Sequence, residues 1–128
     1  MKKIILDTNF IIIPYKFNVD IFSEIDRISG FNYELCVIDK TIEELNKLAE
    51  SGKGGGKRAA KLALALLKSK KVRELKSSGS YADDALLELA SPINIIATQD
   101  IELKRRLKAK GVPVITLRQK KYLILMNV

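Results

Sequence analysis

Lys3-Ile4-Ile5-Leu6-Asp7-Thr8-Asn9-Phe10, near the start of the chain, decides the architecture. A short, almost continuous apolar run that stops at a carboxylate reads as a strand buried on both faces, the kind found in parallel sheets covered by helices. The same alternation continues outward from it. Ile21, Phe22, Ile25 and Ile28 at helical spacing predict a helix over Val19 to Ile28, closed by Ser29-Gly30, and Tyr33 to Ile38 predicts a second strand. Asp39 reads as the N-cap of a helix running to about Glu50. Ser51 to Gly56 reads as a mobile glycine-rich loop, with a further helix over roughly Lys57 to Ser69. Val72 to Leu75, Ile93 to Thr98, Val114 to Leu117 and Tyr122 to Met126 predict strands. Ala82 to Ala90 and Asp100 to Lys110 predict helices, the second ended by Gly111. The expected fold is α/β, a three-layer sandwich around a mostly parallel central sheet of about five strands. With 128 residues and neither internal repeats nor a linker, residues 1–128 are expected to form a single domain.

Composition excludes several chemistries. The chain has no histidine and one cysteine, Cys36, so imidazole-based acid–base or nuclease chemistry, His- or Cys-ligated zinc and an internal disulfide are all ruled out. Cys36 falls inside a predicted strand and reads as a small core residue. Apolar runs such as Phe10 to Ile13 and Leu62 to Leu67 fall far short of the roughly 20 residues a membrane helix needs. The start of the chain does not read as a signal peptide, because a carboxylate follows its short apolar stretch at once. The expected location is the cytoplasm.

Charge is divided unevenly. Residues 1 to 50 hold six Lys/Arg against nine Asp/Glu, a net −3, whereas residues 51 to 128 hold seventeen against six, a net +11. A basic half of this kind suits a polyanionic partner. The glycine-rich segment is not a phosphate-binding Walker loop, because Lys57 is followed by Arg58 and the segment follows a helix, not a strand.

Any catalysis must therefore lean on carboxylates, hydroxyls, Lys or Arg, with a hard metal ion held by oxygen ligands. In open parallel sheets, sites form beyond the carboxyl ends of the strands, and Asp7 and Asp100 each follow an apolar strand directly. At about 100° per residue, Ile42, Leu45, Leu48 and Ala49 form one stripe, with Glu44 at its border and Glu43 on the far side. By the same construction Asp83 lies at the margin of the Ala82, Ala85, Leu86, Leu89 and Ala90 face, with Asp84 opposite. Four carboxylates in one cleft would repel one another unless cations sat among them. Oxygen ligands alone suit Mg²⁺ or Mn²⁺, ions that acidify water and stabilise a leaving oxygen in phosphodiester hydrolysis.

Four segments in order carry a family resemblance: Ile5-Leu6-Asp7-Thr8-Asn9-Phe10, Glu44-Leu45-Asn46-Lys47-Leu48, Ser80-Tyr81-Ala82-Asp83-Asp84 and Ala97-Thr98-Gln99-Asp100. Leu103-Lys104-Arg105-Arg106-Leu107 and Gly111-Val112-Pro113-Val114 add to it. Together they resemble the PIN domain ribonucleases, above all the branch that holds small-subunit rRNA-processing endonucleases and archaeal VapC-type proteins. The resemblance implies that Asp7, Glu44, Asp83 and Asp100 form an acidic metal-binding and catalytic quartet, with Thr8, Asn9 and Thr98 supporting it. Asp84, the second acid of the family's Ala-Asp-Asp, is a weaker candidate ligand. It also implies a metal-dependent endoribonuclease, either a VapC-type toxin with an antitoxin partner or an rRNA-processing nuclease. A non-catalytic RNA-binding or ribosome-assembly module and a structure-specific DNA nuclease are the alternatives.

RNA contact is expected from two basic clusters. Lys104, Arg105 and Lys108 share one face of the helix after Asp100, and Lys53, Lys57 and Arg58 lie together with Lys61 in the chain. Such phosphate contacts give salt-sensitive binding without sequence preference. The apolar terminal run Leu123-Ile124-Leu125-Met126 is a strand that could pair across a homodimer.

Overall fold

A computed structural model describes residues 1–79 and 81–127; Ser80, in one of the resemblance segments, and Val128 lie outside the described residues. The elements alternate as β1 (Lys2–Leu6), α1 (Thr8–Ile11), α2 (Ile13–Phe17), α3 (Ile21–Ile28), β2 (Tyr33–Ile38), α4 (Asp39–Ser51), α5 (Gly54–Ser69), β3 (Arg73–Leu75), α6 (Ala82–Leu89), β4 (Asn94–Ala97), α7 (Ile101–Lys110), β5 (Val114–Arg118) and β6 (Tyr122–Met126). The sheet has six strands, where about five were expected, in the order β3-β2-β1-β4-β5-β6. All neighbours are parallel except the terminal hairpin of β5 and β6. The sixth strand follows β5 through a tight turn in which Gln119 and Lys120 both take positive φ, a geometry that reverses the chain within two residues.

Helices cover both faces, and β1 shows how the sequence assigns them. Ile4 and Leu6 enter the larger apolar layer with Phe10, Ile25, Leu45 and Ala63, while Ile5 points to the opposite layer with Ile38, Leu86, Leu103 and Leu107. That is the two-residue period of a strand with no solvent face. Cys36 is fully buried in the second layer, where burial pushes its thiol up to about 11.

Two local expectations are corrected. Asp39 is not the N-cap of α4; Ile38 holds that position and Asp39 opens the helix, its carboxylate accepting from the Lys40 N–H and the Ser77 hydroxyl. The glycine-rich segment is not a loop throughout: Gly52 and Lys53 alone separate α4 from α5, and Gly54 to Gly56 form the first turn of α5. Gly54 takes a φ of +55°, which glycine tolerates.

The edge strand β6 is partly closed. Leu123 donates its N–H to Glu24 Oε1 and accepts from Arg27 Nη2, both at 2.9 Å, so an ion pair on α3 occupies the outward backbone groups a second chain would need there. The double variant Glu24→Ala/Arg27→Ala should free this edge and increase self-association, read by light scattering against the wild type. Unchanged scattering would mean that the pair does not guard the edge.

Candidate active site

Strand order reverses between β1 and β4: the chain winds from β1 towards β3 on one side and from β4 towards β6 on the other. The crevice beyond the carboxyl ends of these two strands is where an open α/β sheet offers a site. Leu6 pairs with Ala97, so Asp7 and Thr98 leave the sheet side by side. Asp7 caps α1 and is only 5% exposed. Its Oδ1 accepts from the Thr8 N–H at 2.8 Å and its Oδ2 from the Thr98 hydroxyl at 2.7 Å. Burial pushes its carboxyl above the ordinary range; the Thr98 and Thr8 bonds oppose that, and the nearby charges of Asp83 and Glu44 add to it.

Around Thr98 the β4–α7 connection is tied together. Thr98 Oγ1 accepts from the Asp100 N–H at 3.1 Å, and Asn9 Oδ1 accepts from the Gln99 N–H at 3.0 Å. Gln99 is the residue that sequence reasoning missed, although it lies between two chosen positions. Its Oε1 accepts from the Thr116 hydroxyl at 2.7 Å and the Leu117 N–H at 2.8 Å, fastening the connection to β5. Gln99→Ala should leave both donors without a partner and cost about 1–3 kcal/mol of stability. A urea midpoint equal to that of the wild type would remove Gln99 from this role.

The remaining acids are set by their helices. Asp100 caps α7, its Oδ1 accepting from the Leu103 N–H at 2.8 Å. Glu44, on exposed α4 surface, accepts from the Thr8 hydroxyl at 3.1 Å and so reaches the segment that carries Asp7. Asp83 is half-buried in the first turn of α6. Its carboxyl is raised by burial and by Asp100, an effect that Arg106 partly offsets. Asp84 points elsewhere and accepts from Arg106 at 2.9 Å.

Asp7 thus feels the charges of Glu44 and Asp83, and Asp83 that of Asp100, but no three acidic side chains among the described residues gather closely enough to grip an ion between them. The sequence reading crowded all four into one pocket. Asp100 turns one oxygen to its own helix N-terminus, whereas Glu44 approaches Asp7 through the Thr8 hydroxyl. The donor chemistry nevertheless fits Mg²⁺ or Mn²⁺. All donors are carboxylate oxygens, and none of the four acids is ion-paired with a Lys or Arg among the described residues. Mg²⁺ in particular keeps several waters and takes only one or two carboxylates directly, so it does not require a closed cage.

The expected basic residues fall in two places. Lys53, Lys57 and Arg58 lie where α4 turns into α5, at the tip of a helical hairpin. Lys104, Arg105 and Lys108 lie along α7, starting one turn from Asp100. Lys104 is half-buried and donates to Thr116 Oγ1 at 3.3 Å, while Arg105 pairs with Glu102.

Fold and site together define a doubly wound α/β domain with an acidic crevice at its switch point. The chain belongs to the PIN like domain family, whose sequence profile matches residues 4–120. It is 37% identical over 124 residues to ribonuclease VapC4 of Methanocaldococcus jannaschii, covering 95% of each chain. It is 34% identical over 119 residues to ribonuclease VapC9 of Archaeoglobus fulgidus, covering 91% of this chain and 84% of that one. The rRNA-processing protein FCF1 homolog of Homo sapiens is 29% identical over 124 residues, which span 93% of this chain and 59% of that protein. Among solved structures, the PIN domain endonuclease Utp24 superposes with a TM-score of 0.79 at 24% identity, covering 98% of this chain and 92% of that one.

Proposed function

We propose that this chain is a divalent-metal-dependent endoribonuclease that hydrolyses RNA phosphodiester bonds in the cytoplasm. The observation that carries the reading is Asp7: a buried carboxylate at the switch point, free of any cationic side-chain partner among the described residues and raised further by Asp83 and Glu44. A folded chain bears that cost where the site needs the charge. Asp7, Glu44, Asp83 and Asp100 would hold Mg²⁺ or Mn²⁺. When bound, such an ion lowers the pKa of water and stabilises the leaving oxygen. The chain's own contribution is positional: Thr98 and the Thr8 N–H fix both oxygens of Asp7, Thr8 reaches Glu44, and Asn9 and Gln99 hold the β4–α7 connection. Lysines and arginines on α7 and at the α4–α5 tip would hold the RNA backbone.

The higher identity to VapC4 and VapC9, 37% and 34% against 29% for the FCF1 protein, favours a VapC-type enzyme, with an antitoxin protein as partner, over an rRNA-processing one. Incubating purified protein with total RNA and either ion should yield discrete cleavage products that chelation abolishes. Intact RNA after incubation with both ions would refute the proposal.

A second reading has its own support. Because the acids are not gathered into a tight cluster, the domain could bind RNA without cutting it. That reading requires RNA binding that needs no metal and survives Asp7→Asn with no cleavage by the wild type.

A further inference from the structure

A trough of about 370 Å³ runs between α7 and the outer strands β5 and β6. It originates in the packing. α7 docks through Leu103 and Leu107, and β5 turns straight into β6 with no helix to follow it. The terminal hairpin is therefore only partly covered beside α7, where Met126 and Ile101, the latter 80% exposed, wall the trough above the buried Val114 and Thr116. Lys104 and Lys108 on the helix and Arg118 at the end of β5 rim it, and Arg118 makes no ion pair among the described residues.

One end of the trough lies beside Asp100. Ile101 follows Asp100 directly, and at 1.5 Å per residue Lys104 and Lys108 lie about 6 and 12 Å further along the helix axis. Because β5 runs parallel to β4 and β1, Arg118 emerges at the same end of the sheet as Asp7.

We propose that this trough is a nucleotide subsite that receives one unstacked base of single-stranded RNA beside the scissile bond. Ile101 and Met126 line the base, and Lys104, Lys108 and Arg118 take the flanking phosphates. Single-stranded RNA is recognised through splayed bases laid on apolar, aromatic or guanidinium surfaces. The trough has apolar walls and a free guanidinium at its rim, and its volume suits one nucleoside. Thr116 on its floor is already bonded to Gln99 and Lys104. The inference rests on the ribonuclease reading.

The test begins with a cleavage site mapped on total RNA and an oligonucleotide that contains it. Removing one base at a time, as an abasic residue on either side of the scissile bond, should raise KM about ten-fold at one flanking position and little at the others. Ile101→Ser, a change at an exposed position, should erase that penalty, so that intact and abasic RNAs are cut with the same raised KM. Cleavage of every abasic RNA at the wild-type rate would overturn the subsite and leave the ribonuclease reading standing. An abasic penalty undiminished in Ile101→Ser would do the same. A dimer that Ile101→Ser dissolves, with RNA cleavage unaltered, would assign the trough to a second copy of the chain. Absence of any cleavage by the wild type would overturn both readings together.

Discussion

Asp7→Asn is expected to abolish RNA cleavage and at the same time to raise the thermal midpoint of the protein. The loss of activity should reach roughly 10²–10³-fold or more, the scale on which removal of one preorganised electrostatic group acts. The gain in stability follows from the sign of the pKa shift. Burial raises the Asp7 carboxyl in the folded chain, so the folded state binds more protons than the unfolded one between the ordinary carboxylate value and the raised one. Stability is therefore present in full below that window and is lost as pH rises through it. An amide carries no charge to desolvate. It keeps the bond from the Thr8 N–H, and its own N–H₂ can donate to the Thr98 hydroxyl, which in turn faces Asn9 Oδ1 at 3.3 Å. In a chain of this size each kcal/mol corresponds to about 3–6 °C. A melting point below the wild type at neutral pH would show that the Asp7 carboxylate supports the fold after all.

Thr98→Val should show the second large effect, in the opposite direction for stability. One hydroxyl both donates to Asp7 Oδ2 and accepts from the Asp100 N–H, and the residue is fully buried. An isosteric valine leaves two polar groups without their partner, a loss of about 2–4 kcal/mol. It also removes the leading influence that lowers the Asp7 carboxyl, which should then rise further. The acidic limb of the pH–rate profile should move to higher pH, while its alkaline limb stays in place. A variant that is destabilised with an unshifted acidic limb would separate Thr98 from Asp7.

The strands were readable because burial on both faces leaves unbroken apolar runs, and β2 and β6 match their expected bounds residue for residue. The positions of Asp7 and Asp100 beyond the carboxyl ends of β1 and β4 were legible for the same reason, and both cap the helix that follows. Local chemistry was harder to read. Three consecutive glycines argue against helix, yet Gly54 to Gly56 join one because α5 packs Ala59, Ala60 and Ala63 against the core. α1 and α2 escaped notice because Ile12 and Pro14 interrupt what would otherwise be a single helical pattern.

The spacing of the acids could not be read at all. Sequence position says which end of the sheet a side chain leaves from, whereas its direction depends on the nearest donor. For Asp100 that donor is the Leu103 N–H and for Glu44 the Thr8 hydroxyl. Gln99 illustrates the same limit, since its partners Thr116 and Leu117 lie on a strand that meets it only after folding.

Divalent-ion binding to the crevice is tested most directly by titrating Mn²⁺ into the wild type and Asp7→Asn without RNA, following free Mn²⁺ by electron paramagnetic resonance. The wild type should take up one or two ions per chain and gain about 2.7 kcal/mol of stability at a hundred-fold excess over Kd, with neither effect in the variant. Equal uptake by the two proteins, or no uptake by either, would contradict a metal-holding role for these carboxylates.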